Sequence, residues 1–288
     1  MDTRRTFGDG HEVYRASAEP AAAEAARAAA PFTIEVRFVG GLNQSQRDAF
    51  KAAADRWVRV IVGDLPNVLV EGDVVDDVLI LAQGADIDGP NGVLGQAGPT
   101  FLRPPNAGAA ASIPAKGVMT FDTADLARME EAGTLNDVIV HEMGHVLGSG
   151  TIWSVKGLIR EDGPNNPVFI GENAMREYGA LRGTGPQAVP VENTGGPGTR
   201  GSHWREVIFN NELMTGFIDS PPNPMSRLTV ASLQDMGYQV DVNAAETYDL
   251  PNIQALAEAG ALAERQAPID SGILLPTIPF ELPPDSLR

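Results

Sequence analysis

The most constraining feature of this 288-residue sequence is the run His141-Glu142-Met143-Gly144-His145, set inside an apolar stretch. On a helix, residues four apart share one face. Both imidazoles can then bind a single ion, and the carboxylate beside the first can reach a water on that ion without being a ligand itself. The local pattern is helical. Thr134 with Asp137 can start the helix, and Val138, Ile139 and Val140 fill its apolar side through to Leu147. The chain has four histidines, so half of its imidazoles fall in one helical turn. A solvated surface helix gives no reason for that. There is no cysteine, which excludes disulfides, thiolate ligands and a cysteine nucleophile together.

The composition narrows the partners. Asp and Glu total 38 against 21 Lys and Arg, a formal net charge of −17. Phosphate backbones and anionic membrane surfaces are bound by basic patches, so nucleic acid is not expected as a partner. Apolar residues make up 43% of the chain, enough for a sizeable core. No apolar run approaches the ~20 residues of a membrane-spanning helix. Arg4-Arg5 hints at a targeting signal, but Asp9, Glu12 and Arg15 interrupt the apolar stretch that must follow.

Along the chain, residues 1–31 are rich in Ala, Glu and Arg and read as a flexible or partly helical leader outside the core. Phe32, Ile34, Val36 and Phe38 alternate with Thr33, Glu35 and Arg37, which predicts a half-buried strand. Ser45 with Asp48 resembles a capping box, and Phe50, Ala54, Trp57, Val58 and Ile61 predict a helix over 45–62. Strands are expected at 78–81, 93–97 and 118–121, with a turn at 89–92. The stretch 149–202, dense in Gly, Pro and Asn, reads as mostly loop with a helix at 171–181. Its middle, around 183–198, is expected to be dispensable for metal binding. A helix near 226–236, an Ala/Glu helix at 253–265 and a proline-rich tail complete the chain. The predicted organisation is a leader (1–31), an N-terminal lobe with the histidine helix (32–148), a C-terminal lobe (149–250), and a final helix and tail (251–288).

A catalytic zinc needs a third protein ligand and an open position. In the pattern H-E-x-x-H-x-x-G-x-x-H, Gly148 is in place but Thr151 occupies the third histidine's position. A Glu on a second helix about 20 residues on is the other common arrangement; that spacing lands on Asn165, with Glu161 and Glu172 out of register. The better candidate is His203, just before Asn211-Glu212-Leu213-Met214-Thr215-Gly216. His11 reads as uninvolved. Asp86 and Asp88 form only a fragment of a calcium loop.

Together these residues resemble the leishmanolysin (M8) branch of the metzincin peptidases. The matching positions are His141, Glu142, His145, Gly148, His203-Trp204, Glu212-Leu213-Met214 and Leu233-Gln234-Asp235-Met236-Gly237-Tyr238, within about 78–250. The resemblance implies an α+β, two-lobed zincin fold, with a large insertion between Gly148 and His203. It implies one zinc held by His141, His145 and His203, Glu142 as general base, and Met214 in a Met-turn beneath the metal. It further implies hydrolysis of internal peptide bonds of protein or peptide substrates. Asp88-Gly89-Pro90-Asn91-Gly92-Val93-Leu94-Gly95 looks like the loop and upper-rim strand that bind peptide by β-addition in metzincins. The chain departs from the disulfide-rich members of that family in having no cysteine, and its last residues carry no hydrophobic anchor signal. A soluble, monomeric, bacterial-type relative fits these departures, with secretion favoured by the resemblance alone. Two other classes stay open. One is a zinc-bound but inactive adhesion or binding protein on a zincin scaffold, which an intact Glu142 disfavours. The other is a structural zinc protein whose fourth site is closed by Thr151, Glu161 or Glu172.

Overall fold

Part of the segment expected to lie outside the core belongs to it. In the computed structural model, which describes residues 11–89, 94–196, 198–218, 221–252, 273–274 and 278–288, Glu12–Ser17 (β1) is an edge strand. A short helix, Pro20–Ala25 (α1), connects it to Thr33–Gly40 (β2), with which β1 pairs antiparallel. Ala16, Ala18 and Ala23 are buried. The composition hid this strand because its exposed positions outnumber its buried ones; pairing with β2 supplies what its side chains do not. Residues 1–10 of the expected leader lie outside the described residues.

The period-two segment forms β2, with Ile34, Val36 and Phe38 turned inward. It is followed by Gln44–Trp57 (α2). The cap of α2 is Asn43 rather than Ser45: Asn43 accepts from the Gln46 backbone N–H at 2.9 Å, and the Gln46 side chain accepts from the Asn43 N–H at 3.0 Å. This is a reciprocal capping box two residues earlier than expected. Val68–Val70 (β3) and Asp73–Val75 (β4) make a separate hairpin. Val78–Ala85 (β5), Gly95–Leu102 (β6) and Pro114–Asp122 (β7) extend the main sheet in the order β1-β2-β5-β7-β6. Here β2, β5 and β7 are parallel, while β1 and β6 run opposite to their neighbours.

Two helices follow β7: Thr123–Ala132 (α3), which the sequence pattern had not revealed, and Leu135–Val146 (α4). The α3 cap is Asp122, whose Oδ1 accepts from Ala124 and Asp125 N–H groups. Its Oδ2 accepts from the N–H groups of Ile87, Asp88 and Gly89. These bonds, that from Ile87 first, hold the Asp122 carboxyl below its ordinary value. The loop read as a calcium-site fragment therefore turns its N–H groups toward a carboxylate of its own chain. Asp86 and Asp88 are exposed and join no three-ligand cluster among the described residues; calcium finds no support.

The core lies between the sheet and the helix pair α2 and α4. Phe50 makes edge contacts with Phe38 and Phe121, with centroids 6.2 and 6.1 Å away. Each large apolar side chain buried here contributes about 1.5–3 kcal/mol. Trp57 Nε1–H donates to the Val140 carbonyl at 2.9 Å, tying α2 to α4. Helix α4 is buried from Leu135 to Val146, except at Asn136 and Asp137. Thr134 makes no side-chain cap there. Asp137 in the first turn pairs instead with Arg56 at 3.1 Å and accepts from Asn223 Nδ2 at 2.8 Å.

The stretch expected to be mostly loop contains a second, three-stranded sheet. Ile159–Glu161 (β8) and Pro167–Phe169 (β9) pair antiparallel, Glu172–Leu181 (α5) follows, and Val189–Pro190 (β10) returns to the other side of β9. Beyond it come Glu206–Phe209 (α6) and Arg227–Met236 (α7), the latter capped by Ser226. Ile273–Leu274 (β11) and Phe280–Glu281 (β12) both run parallel to β6. The outer edge of β6, expected to accept substrate, thus pairs with the chain's own residues at Gly95–Gln96 and Phe101–Leu102. The expected helix at 253–265 and residues 90–92 of the turn expected at 89–92 fall outside the described residues. No helix among those described is long and apolar enough to cross a membrane.

Candidate metal centre

Helix α4 carries His141 and His145 on one face, and the two Nε2 atoms stand 3.0 Å apart. The chain leaves the helix through Gly148, whose φ of +106° lies in the region that favours glycine. It returns with His203, 58 residues after His145; the His203 Nε2 is 3.0 Å from that of His145 and 3.2 Å from that of His141. All three imidazoles are buried.

The other ring nitrogens decide what this cluster can hold. His141 Nδ1 lies 2.7 Å from the Leu213 carbonyl, His145 Nδ1 2.8 Å from that of Ser149, and His203 Nδ1 3.1 Å from that of Thr199. A carbonyl can only accept, so each Nδ1 bears the proton and each Nε2 presents a lone pair. Three lone pairs facing one another at about hydrogen-bond distance need a cation between them. A zinc with Zn–N bonds of ~2.0–2.1 Å in tetrahedral geometry separates its nitrogens by about 3.3–3.4 Å, close to the spacing observed. The donor set therefore fits zinc.

The loop bearing His203 is held from both sides. Glu192 N–H donates to the His203 carbonyl at 2.8 Å, and Trp204 N–H donates to the Met214 carbonyl at 2.9 Å. Trp204 bridges to Val191 and to Thr215. Its ring packs on Trp153 and Phe169, with centroids 4.5 and 5.5 Å away. Glu192 itself is buried. Burial pushes its carboxyl up, but bonds from Thr194, Glu206 and Asn193 outweigh this and hold it below its ordinary value. Residues 189–192 are thus part of the scaffold for His203, against the expectation that the middle of the insertion is dispensable. The Gly/Pro-rich composition concealed this because the holding groups are backbone amides and carbonyls.

The remaining candidates separate cleanly. Glu142 is buried and lines, with His145, a cleft of about 350 Å³ whose walls include Ala97, Thr151, Ile159, Arg200 and Ser202. Thr151 donates its hydroxyl to the His145 carbonyl at 2.8 Å. Glu161 pairs with Arg200 at 3.1 Å, and Glu172 is exposed in the first turn of α5. Among the described residues none of these three joins the histidine cluster, nor does His11. Sequence reasoning missed the carbonyls of Leu213, Ser149 and Thr199, since residue type carries no signal for a carbonyl's direction.

The chain matches the sequence profile of the leishmanolysin peptidases, family M8, over residues 109–256, just over half its length. It is similar to a leishmanolysin-like peptidase of Caenorhabditis elegans, at 40% identity over 79 residues, 27% of this chain and 11% of the worm protein. It is also similar to a leishmanolysin homolog of Crithidia fasciculata, at 29% identity over 146 residues, 46% of this chain and 21% of that protein. The matched segments thus span between a tenth and about a fifth of those relatives' length. Because the profile match runs through α4, all three clustered histidines and α7, the chain belongs to the leishmanolysin (M8) family of peptidases.

Proposed function

We propose that the chain is a zinc-dependent endopeptidase of the metzincin type. The observation that carries this is the convergence of three Nε2 lone pairs, each imidazole fixed by a carbonyl, with a buried glutamate that shares a cleft with one of them, His145. In this reading His141, His145 and His203 hold the metal. When bound, zinc polarises the scissile carbonyl and lowers the pKa of a water toward ~7. Glu142 takes the proton of the attacking water and returns it to the leaving amine. The carbonyls of Leu213, Ser149 and Thr199 keep the three rings in the tautomer that leaves Nε2 unprotonated. Met214 is read as the methionine of a Met-turn beneath the metal.

The proposed architecture is two-lobed. The main sheet with α2 and α4 forms the upper lobe through residue 148. The small sheet, the turn at 212–215 and α7 form the lower lobe through 250. Protein or peptide substrate lies in the cleft between them.

Two variants test metal holding and chemistry separately. Elemental analysis should give one zinc per wild-type chain and none in His203→Ala. Glu142→Ala should keep its zinc and lose about 10²–10⁴-fold in chelator-sensitive casein hydrolysis, the usual worth of general-base assistance. Full zinc in His203→Ala removes the ligand assignment. Undiminished hydrolysis by Glu142→Ala removes the mechanism.

A further inference from the structure

Glu212 is fully buried, and burial pushes its carboxyl above the ordinary value, against the hydrogen bonds it accepts. A carboxylate in such a place is costly unless donors satisfy it. Four do. Oε2 accepts from the Met214 N–H at 2.7 Å. Oε1 accepts from the Ser226 N–H at 3.1 Å, the Ser226 hydroxyl at 2.6 Å and the Thr229 hydroxyl at 2.6 Å. The direction of both hydroxyls is set by what they accept. Thr229 Oγ1 accepts from Trp204 Nε1–H at 2.8 Å, and Ser226 Oγ accepts from the Thr229 N–H at 3.3 Å. Each hydroxyl proton is therefore left for Glu212.

This network reaches two of the three histidines. The turn it grips carries the Leu213 carbonyl that holds His141, and it carries Met214, whose side chain packs against α4 at Gly144. Its other branch ends on Trp204, the residue after His203. We propose that Glu212 is a positioning residue of the metal centre. Its acceptor-only carboxylate locks the turn at 212–215, and thereby fixes the ring of His141 directly and the loop of His203 through Trp204. This rests on the three-histidine reading above.

Glutamine is the discriminating replacement. Its oxygen can take the place of only one carboxylate oxygen; the other position becomes an NH₂ facing a donor, either Met214 N–H or the Ser226 and Thr229 groups. Apo protein is prepared for wild type, Glu212→Gln, Thr229→Val and Val36→Ala. The last makes a cavity on β2 and serves as a destabilised control away from the turn. The readouts are zinc affinity by chelator competition, the visible absorption of the Co²⁺-loaded protein, and thermal unfolding of the apo form. Glu212→Gln should bind zinc about 10–100-fold more weakly, the usual loss when a ligand's supporting partner is removed, with a shifted Co²⁺ spectrum. Thr229→Val, which cuts the Trp204 branch and one of the four bonds to Glu212 but leaves those from Met214 and Ser226, should lose less, and it carries the test if Glu212→Gln does not fold. Val36→Ala should unfold at lower temperature with zinc affinity and spectrum unchanged. Wild-type affinity and spectrum in both Glu212→Gln and Thr229→Val would overturn the inference. His141→Ala is the separate control: if it keeps a full equivalent of zinc, the three-histidine reading itself fails.

Discussion

Gly144 and Met214 meet where no side chain larger than hydrogen fits on the helix. A Cβ at Gly144 would stand 2.8 Å from Met214 Sδ and 2.8 Å from Trp57 Cζ2. The helix turn between His141 and His145 is thus clamped by α2 on one side and by the 212–215 turn on the other. Gly144→Ala must displace both or shift the helix. Overpacking of this kind costs about 1–3 kcal/mol, and each kcal/mol lowers the Tm of a domain this size by about 2–4 °C. Calorimetry should show that fall, accompanied by weaker zinc binding. An unchanged Tm would mean that both Met214 and Trp57 are free to move aside.

The segment around β10 offers a sharper test of how His203 is placed. Glu192 N–H holds the His203 carbonyl, and Val191 bridges to Trp204. Replacing residues 186–196 by a short Gly/Ser linker should therefore abolish stoichiometric zinc binding in elemental analysis, although loop-closure entropy alone would change by less than ~1 kcal/mol. Retention of one zinc would show that the aromatic packing of Trp204 suffices.

Protons should compete directly with the metal. Each Nδ1 is committed to a carbonyl, so an added proton must go to Nε2, the atom that would bind zinc. Zinc affinity should fall below about pH 6. A plot of log Kd against pH should be level near neutral and rise as pH falls, because a ring that takes a proton on Nε2 is lost as a ligand. A Kd that does not change with pH, measured by chelator competition from pH 5 to 7.5, would contradict a centre of imidazole ligands.

Asp77 sets a second pH dependence, in folding rather than binding. It is buried, and desolvation pushes its carboxyl up to about 7 despite bonds from Leu65 and Thr33. The unfolded value is about 3.9, so between the two the folded chain holds a proton the unfolded chain has released. The contribution of Asp77 to stability then falls as pH rises from about 4 to about 7, and levels off above. In urea unfolding, Asp77→Asn should flatten the profile in that window by up to about 1.4 kcal/mol per pH unit. Parallel profiles for the two proteins would refute this.

The sequence by itself determined the elements whose order is local. Alternation placed β2, and helical spacing placed α2 and α4, although α2 ends at Trp57 and not at 62; helices were also expected where α5 and α7 lie. On α4 it also put His141, Glu142 and His145 on one turn, because an i, i+4 pair is fixed by helix geometry alone. Tertiary structure decided the rest. Only the folded chain brings His203 within 3.2 Å of the other two rings, since no short-range periodicity spans 58 residues. Only it shows that 189–192 supports that histidine, that β1 covers the sheet edge, and that Asn43 rather than Ser45 caps α2. Those features rest on backbone amides and carbonyls, which every residue type carries. Their partners are chosen by where the chain returns, and residue identity leaves no record of that.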